Sequence, residues 1–146
     1  LFQIDCPRMD AIYEVITELE LPVIVHAGDK RYDFSGPKRI ANVLEKHPKI
    51  ELIAAHFGGY SEWENSMEYL VGKKVWFDTS SSLFSLPVET ANKMIRDHGY
   101  EKFLFGSDFP MWDHEGELER FNKLDLTAEM RDAILYKNAL RLLKEI

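Results

Sequence analysis

The sequence predicts an α/β fold with a parallel sheet, on two observations. Four short apolar runs rich in branched or aromatic residues, 21–25, 50–55, 74–77 and 102–105, recur along the chain, and a segment of helical amphipathicity separates each from the next. An ionisable residue stands at or just beyond the carboxyl end of every run: His26, His56, Asp78 and Asp108. Groups at that end of successive parallel strands converge on one rim, where α/β barrels and open α/β sheets place their ligands.

The elements follow in order. Residues 10–20 place Ile12, Val15, Ile16 and Leu19 on one helical face, and 38–47 do the same with Ile40, Val43 and Leu44. Helices are also predicted at 63–71, 88–98, 115–121 and 127–143, with Thr127 as N-cap of the last. Gly72 and Gly99 read as helix ends, and Gly58, Gly59 and Gly106 closely follow strands. The strands carry nearly continuous apolar residues, so both faces of the sheet are expected to be covered. No linker or low-complexity tract interrupts residues 1–146, which read as one domain.

Composition narrows the function. With 18 Lys and Arg against 25 Asp and Glu, the formal charge of −7 argues against nucleic acid and anionic membranes as partners. No apolar stretch approaches the roughly 18 residues of a membrane-spanning helix. A single cysteine, Cys6, excludes an intrachain disulfide, and residues 1–5 lack signal-peptide organisation, so the cytoplasm is the expected compartment. The chain starts at Leu1 without an initiator methionine, and a preceding segment is expected.

His26 and His56 each have an ordinary alternative, a strand-ending histidine bonded to a loop carbonyl. Two on adjacent strands, each followed by glycine within three residues to admit a ligand, favour a metal or acid–base site. Asp108 reads either as a helix N-cap or as a carboxylate for metal coordination or proton transfer; burial at a strand end without a cation would be costly. For the cluster Asp78-Thr79-Ser80-Ser81-Ser82, substrate contact and plain loop formation both stand open, as do anion binding and a solvated loop for Lys30, Arg31 and Tyr32. Trp112 either walls a pocket or caps the core. His47, His98 and His114 read as solvated. No glycine-rich phosphate motif follows any strand, which argues against a nucleotide-binding module.

LPVIVHAGD (21–29), IAAHFGG (53–59), WFDTSS (76–81), FLFGSDFP (103–110) and KNALRLL (137–143) together resemble the amidohydrolase superfamily, specifically the amidohydrolase-2 group with its aminocarboxymuconate-semialdehyde decarboxylase-like, metal-dependent members. The resemblance implies a TIM-barrel-like metal-dependent hydrolase fold, here about half a barrel, strands five to eight with their helices. It implies His26 as the strand-five metal ligand, His56 as the strand-six histidine that orients or deprotonates the attacking water, and Asp108 as the strand-eight metal-binding carboxylate. Imidazole and carboxylate together suit zinc first and manganese second. The implied reaction is hydrolysis of an ester, lactone or amide in a small-molecule substrate. The alternatives are non-oxidative decarboxylation, or a non-catalytic half-barrel that self-associates.

One departure matters. The group takes two further ligands from a His-x-His motif on strand one, and no two histidines here lie two residues apart. His26 and Asp108 alone fall short of the three protein ligands of a catalytic zinc site. A homo-oligomer or a missing N-terminal half-barrel is therefore expected, the more so because unpaired apolar strand edges favour pairing with another chain.

Overall fold

The computed structural model describes residues 2–144. Four parallel strands, β1 (Pro22–Val25), β2 (Glu51–Ala54), β3 (Trp76–Asp78) and β4 (Phe103–Leu104), form one sheet in the order β1-β2-β3-β4. Helix α1 (Asp10–Glu18) precedes the first strand, and α2 (Pro37–Lys46), α3 (Trp63–Tyr69) and α4 (Val88–His98) form the crossovers. Helix α5 (His114–Phe121) follows β4, with Asp113 rather than Asp108 as its N-cap; the Asp113 carboxylate accepts the Gly116 N–H at 2.7 Å.

The predicted single terminal helix is three pieces in succession: α6 (Ala128–Asp132), a π-helical turn (Ala133–Lys137) and α7 (Asn138–Leu142). Thr127 does cap it, accepting the Met130 N–H. The widened turn lets the Ile134 carbonyl accept the Phe105 N–H at 2.8 Å. Asn138, 2% exposed, donates to the carbonyls of Tyr100 and Phe103, so the closing KNALRLL motif anchors β4.

Side chains alternate across each strand. Leu52, Ala54, Phe77 and Phe103 join the core with Ile40, Val43, Met94, Ile95, Phe121 and Ile134 from the helices. Ile24, Ile53 and Trp76 share the opposite face, being aligned by the strand register. That face is unevenly covered, contrary to expectation: Trp76 and Ile53 are 3% and 8% exposed, but Ile24 is 61% exposed. The ammonium of Lys102 lies 4.1 Å from the Trp76 ring centroid, whereas β1 is an edge strand; Leu21 just before it and Ile12, Val15 and Leu19 of the first helical segment are exposed too.

Two histidines expected to be solvated are packed. His98 stacks on Phe77 with centroids 4.2 Å apart; its Nδ1 accepts from the Gly72 N–H and its Nε2 donates to the Val75 carbonyl. His47, its side chain 11% exposed, pairs with Asp10 at 3.1 Å and lies against Tyr13. Each sits at a helix end, where its ring reaches an adjacent loop or helix. His114 is exposed, as expected, and stacks on Phe109.

Candidate active site

The carboxyl ends of the strands gather His26, His56 and Asp108 around one cleft of about 220 Å3, with Tyr60, Ser81, Met111, Trp112, Asp29 and Arg31 completing its wall. A larger hollow of about 500 Å3 lies alongside, between the loops around Trp63 and Phe84; it shares Tyr60 but holds none of the three.

The histidines are in direct contact, His26 Nδ1 lying 3.0 Å from His56 Nε2. Hydrogen bonds decide which atoms carry protons. The Ser80 carbonyl can only accept, so His56 Nδ1, 3.0 Å away, bears a hydrogen. Ser80 Oγ also accepts from this nitrogen at 2.9 Å, because its own hydrogen goes to Asp78 Oδ1 at 2.6 Å. In a neutral His56 ring Nε2 is then an acceptor, and His26 Nδ1–H is its donor. With His26 neutral as well, its Nε2 keeps a bare lone pair. Desolvation by the surrounding chain, and then the neighbouring His56, hold the His26 pKa below its ordinary value, which agrees with a neutral ring.

Asp78 braces this arrangement from below. Its Oδ1 accepts from the backbone N–H of His56 at 2.9 Å, the N–H of Ser80 at 3.0 Å and the Ser80 hydroxyl. His56 sits at φ 62°, Ser81 at 44° and Asp108 at 60°, a left-handed backbone region that non-glycine residues seldom occupy and that collects at functional sites. The glycines after the histidines serve packing instead of ligand approach. A Cβ on Gly28 would stand 2.6 Å from the Tyr60 carbonyl oxygen, and one on Gly58 would stand 2.5 Å from the Phe77 ring.

Asp108 Oδ2 accepts from the Ser81 hydroxyl at 2.6 Å, and among the described residues its Oδ1 makes no hydrogen bond. Arg31 reaches the cleft wall but is forked onto Asp29, at 2.7 and 3.0 Å. This pairing holds the Asp29 carboxyl down at about 2. Sequence reasoning did not single out Tyr60, whose ring lies 6.0 Å from His26 and 5.8 Å from His56. Its signal was its place directly after Gly58-Gly59. The serines gave only a compositional hint.

A bare imidazole nitrogen and a free carboxylate oxygen at one cleft fit a divalent cation as two of its donors. Among the described residues no group of three His, Cys, Asp or Glu is arranged to hold a metal. The donor set in this chain is thus a partial one.

The family model described as Amidohydrolase, the type 2 model, matches residues 3–144. The chain belongs to the amidohydrolase-2 family. No curated protein matches it. Among solved structures, this amidohydrolase-2 chain is similar to 2,6-dihydroxybenzoate decarboxylase complexed with 2,6-dihydroxybenzoate, with a TM-score of 0.77 at 16% identity over 98% of this chain and 57% of that one. It is similar to a dihydroxybenzoic acid decarboxylase from Polaromonas with bound manganese, at 0.72 and 17% over 97% and 55%. It is also similar to a Pseudomonas putida protein described as a 2-pyrone-4,6-dicarboxylic acid hydrolase, at 0.71 and 21% over 99% and 59%. At these identities the likeness shows the fold. The chain spans little more than half of each neighbour, and its four-stranded parallel sheet corresponds to about half of their TIM barrel.

Proposed function

We propose that this chain is part of a metal-dependent hydrolase that cleaves an ester, lactone or amide with an activated water. The observation that carries the reading is the convergence of His26, with a bare Nε2, and Asp108, with a free Oδ1, on the cleft that His56 also lines. These two atoms are the donors this chain offers to a divalent cation, with zinc first and manganese second, and we place the remaining ligands in the barrel half that the chain does not span. Bound there, such a cation supplies Lewis acidity and lowers the pKa of water to about 7 in favourable sites.

The chain's own residues then divide the work. His26 keeps its ring oriented by donating Nδ1–H to His56, the support a metal-binding histidine ordinarily receives at its second nitrogen. His56 takes the proton of the attacking water at Nε2 as the His26 contact opens, its ring braced at Nδ1 by Ser80. Asp108 relays to the leaving group the proton that His56 has taken from the water. Metal content of the protein carrying this chain, purified without chelator, tests the roles. His26→Ala and Asp108→Ala should lose metal and activity together, whereas His56→Ala should keep much of the metal and lose turnover. Equal retention in all three variants overturns the assignment.

A second reading, non-oxidative decarboxylation of an aromatic or unsaturated carboxylate, is favoured by the decarboxylases among the neighbours. Carbon dioxide release from hydroxybenzoates, set against ring opening of lactones, separates the two.

A further inference from the structure

We propose that Ser81 and Trp112 are positioning residues that clamp one oxygen of Asp108 and so present the other to the cleft; the proposal rests on the role assigned to Asp108 above. The directions of the hydrogen bonds are forced. An indole N–H only donates, so at the 3.0 Å contact between Trp112 Nε1 and Ser81 Oγ the serine accepts. Its single hydrogen is then left for Asp108 Oδ2, at 2.6 Å. Oδ2 is occupied and Oδ1 is free, which fixes how the carboxylate faces the cleft.

The indole is itself immobilised. Phe84 stacks on Trp112 with centroids 4.8 Å apart at 26°, and the Arg120 guanidinium lies 5.2 Å from the indole ring. Arg120 is tied in turn to Glu117, a side chain with 0% exposure, through a 2.5 Å ion pair. The support therefore runs from helix α5 through Arg120, Trp112 and Ser81 to Asp108, joining the loops that follow β3 and β4. Outer partners of this kind typically change metal affinity or activity by about 10–100-fold when removed.

The test uses Ser81→Ala, Trp112→Phe and Asp108→Ala, with two readouts. The first is the indole N–H resonance of Trp112 in a nitrogen-15 correlation spectrum, identified among the three tryptophans by its loss in Trp112→Phe. Ser81→Ala removes the acceptor and Asp108→Ala removes the group that orients the serine hydroxyl, so both should move this resonance while leaving those of Trp63 and Trp76 in place. The second, on the whole protein that carries this chain, is calorimetric titration with zinc alone: Ser81→Ala should bind about 10–100-fold more weakly than the parent, and Trp112→Phe, which keeps the stacking ring, should fall between the two. An unmoved Trp112 resonance in Asp108→Ala overturns the clamp. So does a Ser81→Ala titration identical to the parent when Asp108→Ala is weakened. If Asp108→Ala itself binds zinc like the parent, the metal role of Asp108 fails instead, and the clamp stands or falls on the indole resonance.

Discussion

Replacing Asp78 by alanine should be the most damaging single change near the candidate site that touches none of its reacting atoms. Asp78 is 7% exposed, and its Oδ1 accepts from two backbone N–H groups and one hydroxyl, on residues that are themselves 5% and 4% exposed. The Ser80 hydroxyl can turn to another acceptor, but the N–H groups of His56 and Ser80 cannot. Each buried donor left unpaired costs about 1–3 kcal/mol, so with two of them Asp78→Ala should lose roughly 2–6 kcal/mol of a stability that for most domains totals about 5–15. Asp78→Asn keeps an acceptor oxygen in place and should lose only about 1–2 kcal/mol. Urea unfolding reads the difference: with m near 2 kcal/mol/M, the alanine midpoint falls by roughly 1–3 M and the asparagine midpoint by about 0.5–1 M. His56 is held at φ 62° by the same oxygen, so the alanine variant should also shift its ring resonances. An alanine variant within about 1 kcal/mol of the parent would refute this reasoning, as would equal losses in both variants.

Three further outcomes follow from the packing. Desolvation holds the His98 pKa below the ordinary 6.5, so below that pH the unfolded chain binds a proton that the folded chain refuses. Stability should fall as the pH drops through 6.5 toward the lower folded-state value, and urea midpoints between pH 7.5 and 5 should show a shallower fall in His98→Phe, which keeps the stack on Phe77 but cannot titrate. Gly28→Ala forces a Cβ to within 2.6–2.8 Å of backbone atoms of Gly59 and Tyr60 at φ 83°, and thermal unfolding should report a loss of about 2–4 kcal/mol. Ile24→Ser should stay within about 0.5 kcal/mol of the parent, whereas Ile53→Ala, one strand inward on the same face, should cost about 2–4 kcal/mol; a comparable loss at both positions would mean that the β1 edge is covered in solution.

What the sequence disclosed, and what it withheld, divides along a physical line. Strand positions were legible because apolar runs between helical periods leave few other arrangements, and with the strands placed, His26, His56 and Asp108 necessarily fell on one rim. The exposure of Ile24 escaped the apolar-run argument, which says that a face is apolar but not whether anything lies over it. The π-helical turn at 133–137 escaped too, because the hydrogen bond that it makes room for, from the Phe105 N–H to the Ile134 carbonyl, joins residues 29 apart. The serines show the limit most plainly. Ser80 and Ser81 are adjacent and chemically identical, yet one accepts from His56 and the other donates to Asp108, partners 24 and 27 residues distant on different loops. Local propensity treats both as loop formers. Ser81 also has a left-handed backbone that Ser80 lacks, and neither that torsion nor the choice of partner is written in the composition of DTSSS. A substitution that leaves the motif readable as serine-rich can therefore dismantle either arm of the site separately, and the two arms should respond independently to Ser80→Ala and Ser81→Ala.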